Sequence, residues 1–210
     1  KIKKNNIYEN LSPTLPFIKS KNLKPGKACS IIFVEPPKYL VKFPESLLLE
    51  QSVEFFNELV QFVNQLNPEI RSQVKFRAKT SFYIGFNSEA KFGNIFGKSH
   101  IDKVSAENTY KKTLVNSKLI ISTYPQTAFS EAMYCNVPTL LIIKRNHYQF
   151  SKDALNTFNN LKKNKIAFES FNDAAIHIHK HWEQIDLWWK SENVQAARKF
   201  FLLNFCNVKP

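Results

Sequence analysis

Residue types and spacing best suit chemistry in the stretch Ile120-Ile121-Ser122-Thr123-Tyr124-Pro125-Gln126-Thr127-Ala128-Phe129-Ser130-Glu131-Ala132. An apolar run passes through hydroxyl-bearing residues and one proline into a segment that reads as a helix from Thr127 to Cys135. A helix start presents backbone N–H groups that have no partner inside the helix, and the helix dipole adds positive potential there, so a phosphate suits such a corner. Thr127 is placed to cap the helix, and Glu131, one turn on, falls on the same face, where its carboxylate can accept hydrogen bonds from a sugar. The same residues read equally as a plain helix start, in which Thr127, Ser130 and Glu131 serve only the chain's own N–H groups. Spacing leaves both readings open.

Other candidates are weaker. Lys79 and Tyr83 border Thr80 to Gly97, which holds three of the four glycines and reads as a long loop; there they can contact a ligand, or simply face water. His177, His179 and His181 form H-x-H-x-H. On a helix His177 and His181 share a face as a metal pair would, but no third ligand accompanies them, so a solvated helix side is expected. Trp182, Trp188 and Trp189 can offer a sugar a stacking surface, though their clustering at a helix junction fits packing of the terminal helix better. No D-x-D-type acidic pair stands in a convincing loop, so neither a metal nor another cofactor is expected. Cys29, Cys135 and Cys206 share no C-x-x-C spacing and are odd in number, which favours small buried hydrophobes in a reducing cytoplasm over disulfides or zinc.

The elements that must position these residues alternate. Ile31 to Val34, Val74 to Ala78, Ile101 to Val104, Lys118 to Ser122, Thr139 to Ile143 and Ile166 to Phe168 read as strands. Between them, helices are expected over Ser46 to Leu66 (Ser46 the cap, with an apolar stripe through Leu48, Leu49, Val53, Phe56, Leu59, Val60 and Val63), Glu107 to Asn116, Asp153 to Asn164, Asn172 to Trp182 (Asn172 the cap) and Glu192 to Phe205. Such alternation predicts an α/β fold, a Rossmann-like parallel sheet with helices on both faces. Residues 1–29, with Pro13, Pro16, Pro25 and Gly26 and no periodicity, read as a linker or arm, and 30–210 as one domain. The opening on Lys1 rather than Met reads as a piece of a longer protein.

The 30 basic and 17 acidic residues give a net charge of +13, which suggests a polyanionic partner. Only Arg71, Arg77, Arg145 and Arg198 carry the guanidinium fork that phosphate and base recognition favours, and residues 1–30 hold seven Lys against one Glu. Nucleic acid is therefore not an expected partner. The longest unbroken apolar runs are four residues, as in Leu140 to Ile143, and fall far short of the roughly 20 residues a membrane span needs. Peripheral contact with an anionic membrane or polymer through residues 1–30 stays open.

Beyond these patterns, the run T-A-F-S-E-A-M-Y-C-N-V-P-T-L-L-I from Thr127 resembles the nucleotide-sugar-binding half of glycosyltransferases of the two-domain GT-B fold. More closely, Phe76-Arg77, Ile121 to Tyr124, Thr127 to Ala132, Asn136 to Thr139 and the ending W-W-x-S-E-x-V-Q-x-A-R from Trp188 to Arg198 resemble a transferase family of bacterial surface-polysaccharide gene clusters. The resemblance runs from about Ser30 to Phe205 and implies the C-terminal half of a GT-B enzyme. That enzyme would move a sugar from a nucleotide-sugar to a surface-glycan acceptor in the cytoplasm or at the inner membrane face, and an N-terminal domain of the same protein would complete the cleft.

By the same resemblance Glu131 corresponds to the glutamate that holds the donor's ribose hydroxyls. Ser122, Thr123 and Thr127, with Tyr124 and Gln126 beside them, line the crevice for the diphosphate or sugar, and Arg77, joined by Lys79, neutralises phosphate. Thr123 stands where one large GT-B group has a second glutamate, so neither stereochemical course is implied. Asn136 replaces the usual glycine before Val-Pro, a mild change because Asn tolerates the left-handed conformation of a helix C-cap. A GT-B-like nucleotide-sugar epimerase, or a non-catalytic binding domain of the same fold, are the competing readings.

Overall fold

The computed structural model describes residues 26–34, 49–79, 86–103, 105 and 109–206. Strands β1 (Ala28–Val34), β2 (Val74–Lys79), β3 (Ser117–Ser122), β4 (Thr139–Ile142) and β5 (Ala167–Phe168) form one parallel sheet in the order β2-β1-β3-β4-β5. Around it stand α1 (Leu49–Gln65), α2 (Pro68–Ser72), α3 (Ser88–Phe96), α4 (Tyr110–Asn116), α5 (Thr127–Tyr134), α6 (Lys152–Lys163), α7 (Phe171–His181), α8 (Ile185–Lys190) and α9 (Glu192–Cys206). The arm expected over the first residues lies largely outside the described ones.

A sheet covered on both faces needs apolar residues at successive positions, not alternate ones. Here Cys29, Ile31, Phe33, Phe76, Leu119, Ile121, Leu140 and Ile142 pack with α1 and α7. The intervening Ile32 and Ile120 meet α4 and α5, and Leu141 and Ile143 meet α5, α6 and α9. Gly26 donates to the Ser117 carbonyl (3.2 Å), and a Cβ at this residue would run into the Asn116 carbonyl, so the close approach requires glycine.

The strand expected over Ile101 to Val104 is reduced to one bridge. Ile101 pairs in parallel with Phe76 and the Asp102 N–H donates to the Phe76 carbonyl at 2.8 Å, while Val104 lies outside the described residues. Counted as a vestigial strand beyond β2, this bridge gives the doubly wound sequence order 3-2-1-4-5-6 of dinucleotide-binding sheets. Connections leave β1 and β3 in opposite directions, so a crevice opens between their carboxyl ends.

Local details correct several expectations. Thr80 to Gly97 is not all loop: Asn87, at φ 47°, accepts from the Ala90 N–H and starts α3, which carries Gly93 because a Cβ there would stand only 3.3 Å from Ile101. Helix α7 is capped by Ser170, whose side chain accepts from the Asp173 N–H, not by Asn172. Ser46 and Leu48 lie outside the described residues. In α1 the buried stripe runs through Phe55, Phe56, Leu59, Phe62 and Val63, leaving Val53 41% exposed. Asn136 does adopt the left-handed conformation, φ 57°. All three cysteines are free and buried, and burial pushes the Cys29 thiol up to about 12.

The histidine run is not a uniformly solvated side. His179 accepts from the Asn67 N–H at the head of α2, whereas His177 is buried against Phe168 of β5, His181 and Trp188 of α8, and its Nε2 has no hydrogen-bond partner among the described residues. Burial, then the nearby His181, Lys165 and Lys180, lower the His177 pKa to about 4. An unfolded chain binds this proton near its ordinary value of about 6.5, so stability present above that pH falls as pH drops toward 4, by at most about 3 kcal/mol. Urea midpoints at pH 7 and 4.5 check this: wild type should lose more than His177→Phe, and equal losses would rule the effect out.

Candidate functional site

A cleft of about 290 Å³ opens at the carboxyl ends of β1, β2 and β3. Ile32 and Val34 of β1 and Ala78 of β2 give it an apolar lining. The polar groups come from Arg77 of β2, from Ser122, Tyr124 and Gln126 at the β3 exit, from Thr127 and Glu131 of α5, and from Tyr110 of α4. A second hollow of about 180 Å³, between α5, α6 and α9, is walled by Phe129, Phe150, Phe158, Phe201 and Phe205 with Thr157 as its one hydroxyl side chain. Only the first combines apolar surface with several polar groups, which a specific small-molecule site needs.

Helix α5 enters the cleft without a capping side chain. Its N-cap is Gln126, not Thr127, and the Gln126 side chain makes no capping hydrogen bond. Thr127 is therefore the first residue of the helix and not its cap. Ser130 N–H makes the first helical bond, to the Gln126 carbonyl, so the N–H groups before it have no intrahelical acceptor. Thr127 and Glu131, four apart, both line the cleft.

The other expected residues divide. Ser122 reaches the cleft, but its hydroxyl donates to the Tyr124 carbonyl at 2.8 Å and so shapes the turn. Thr123 does not line the cleft: it is 4% exposed, and both its Oγ1 and its N–H donate to the Ile32 carbonyl at 3.1 Å, stitching β3 to β1. Lys79 closes β2, and its side chain, like all of Tyr83, lies outside the described residues. Arg77 is buried. It is 6% exposed, lies in the cleft wall, and its Nη1 sits 3.3 Å from Asp102 Oδ2, which also accepts from Thr113 Oγ1 at 2.7 Å.

Sequence reasoning missed Tyr110. Its hydroxyl donates to the Ala128 carbonyl at 2.8 Å, which joins α4 to the first turn of α5. Burial first, then the nearby Glu131 carboxylate, push the phenol well above its ordinary value, so it stays a hydrogen-bond donor at any ordinary pH. No local pattern marks it, since its place in the cleft depends on a helix packed from elsewhere in the chain.

The far end of α5 is clamped by the chain's C-terminal region. Trp189 Nε1 donates to the Asn136 carbonyl (3.0 Å) and to its side-chain oxygen (2.9 Å), while Arg198 donates to the Met133 and Tyr134 carbonyls. Trp182 and Trp189 are 2% and 1% exposed, so these indoles pack the domain and do not form a sugar platform. Motifs far apart in sequence, N-V-P-T and W-W-x-S-E-x-V-Q-x-A-R, thus meet around one helix end.

Among solved structures, the C-terminal domain of a glycosyl transferase group 1 family protein (LpcC) from Francisella tularensis is similar at 11% identity and a TM-score of 0.45, covering 86% of this chain and 87% of that one. Comparison with curated proteins finds no match. The sequence matches the LIC12162 family transferase over residues 3–210, the span that holds the whole cleft and the clamp behind it, and the chain belongs to that family.

Proposed function

We propose that this transferase is a glycosyltransferase and that the described domain is its donor-binding half, holding a nucleotide-activated sugar for transfer to a surface-glycan acceptor. The observation that carries this reading is the uncapped start of α5 in a cleft that also holds Glu131 and Arg77. Backbone N–H groups and the positive helix end suit a diphosphate, Arg77 offsets its charge, and Glu131 suits vicinal ribose hydroxyls. Positive groups of this kind stabilise the departing nucleoside diphosphate without a metal. The base that activates the acceptor would come from an N-terminal domain facing this one, as in a GT-B enzyme working in the cytoplasm or against the inner membrane face. Among the described residues no helix is long and apolar enough to cross a membrane.

Calorimetric titration of the full-length protein with UDP-, GDP-, CMP- and TDP-linked compounds tests this reading. One nucleotide class should bind, with the diphosphate outcompeting the free nucleoside. Absence of binding by every class would overturn it.

A further inference from the structure

We infer that Asp102, braced by Thr113, is a positioning residue that fixes the Arg77 guanidinium in the cleft wall for an anionic ligand. This inference rests on the donor-binding reading above, in which that anion is a diphosphate. A single bridge beyond β2 contributes little as a strand, but it places Asp102 beside Arg77: the Asp102 N–H holds the carbonyl of Phe76, the residue before that arginine. The carboxylate then receives Arg77 Nη1 at 3.3 Å and Thr113 Oγ1 at 2.7 Å on the same oxygen. Thr113 is 3% exposed and sits on α4 one turn after Tyr110, whose hydroxyl holds the Ala128 carbonyl in α5. Helix α4 therefore fastens, one turn apart, both the arginine and the helix start that would grip the phosphate.

Orientation and charge pull in opposite directions here. The Asp102 carboxylate cancels part of the Arg77 field, which taken alone weakens anion binding. Against that, an arginine fixed in advance loses little rotamer freedom when it grips a ligand. If positioning wins, removing the bracing side chain lowers affinity for an anion instead of raising it, although its negative charge goes too.

The test is calorimetric titration of the full-length protein with inorganic pyrophosphate. Asp102→Ala should weaken binding about tenfold, and Thr113→Val, which keeps the ion pair, about threefold; Asp102→Asn, which keeps an acceptor, should stay close to wild type. In an Arg77→Gln background, Asp102→Ala should change nothing further. Because the chain has only four arginines, the Arg77 Nε–H signal can be followed directly by NMR; it should be sharp in wild type and broadened in Thr113→Val, which decides the matter if Asp102→Ala fails to fold. Unchanged or tighter pyrophosphate binding in both Asp102→Ala and Thr113→Val overturns the positioning role while leaving the donor-binding reading standing. Wild-type protein that binds neither pyrophosphate nor any nucleotide overturns both.

Discussion

Glu131→Ala is expected to weaken binding of the cognate ribonucleotide by about 1.5–3 kcal/mol, roughly 10- to 150-fold. Hydrogen bonds to an ionised acceptor are the stronger kind, and one carboxylate can serve two neighbouring hydroxyls at once. Position 131 is half-buried on the second turn of a helix whose start faces the same cleft, so truncation removes the acceptor without emptying a packed core. The diagnostic measurement compares the cognate nucleotide with its 2′-deoxy analogue: wild type should prefer the ribose form, and Glu131→Ala should not. Retention of the full ribose preference in the variant would show that another group reads the sugar.

The second large effect concerns stability. Trp189→Ala should cost about 3–5 kcal/mol, a considerable share of the 5–15 kcal/mol typical of a folded domain. Trp189 is 1% exposed, packs in the cluster that contains Phe129, Met133 and Leu141, and donates twice to Asn136. Trp189→Phe keeps most of the ring volume and loses the N–H, so about 1–1.5 kcal/mol is expected. Urea unfolding of the three proteins at pH 7 provides the comparison. An alanine variant within about 1 kcal/mol of wild type would mean that α8 does not clamp the end of α5.

The strands were readable because burial on two faces leaves near-continuous apolar runs, as in Ile31 to Val34 and Lys118 to Ser122. Burial of Phe55 and Phe62, against exposure of Val53, shows how a helix dense in apolar residues admits more than one stripe. Helix α3 was hidden by Asn87 and Gly93: each is a loop signal on average, and here one caps and the other admits Ile101. Helix α8, six residues between two other helices, is too short to show a period. In the site, Glu131, Thr127 and Gln126 could be read from a single strand-to-helix stretch. Tyr110, Asp102 and Thr113 could not, because they enter the cleft or brace it through packing between elements distant in the chain. Thr123 has the residue type and position of a ligand contact, and only the carbonyl of Ile32 reveals that its hydroxyl is occupied.

The Arg198 clamp also has an electrical side. A helix as short as α5, about 12 Å long, has its two poles close together, and a bare negative pole partly cancels the field of the positive one. Arg198 sets a cation on the Met133 and Tyr134 carbonyls, at the negative pole; burial lowers its pKa, and a guanidinium keeps its proton in proteins. The helix is thus electrically lopsided: one end is quenched by a side chain from α9, and the other shows the cleft a stronger positive potential than eight residues would otherwise provide.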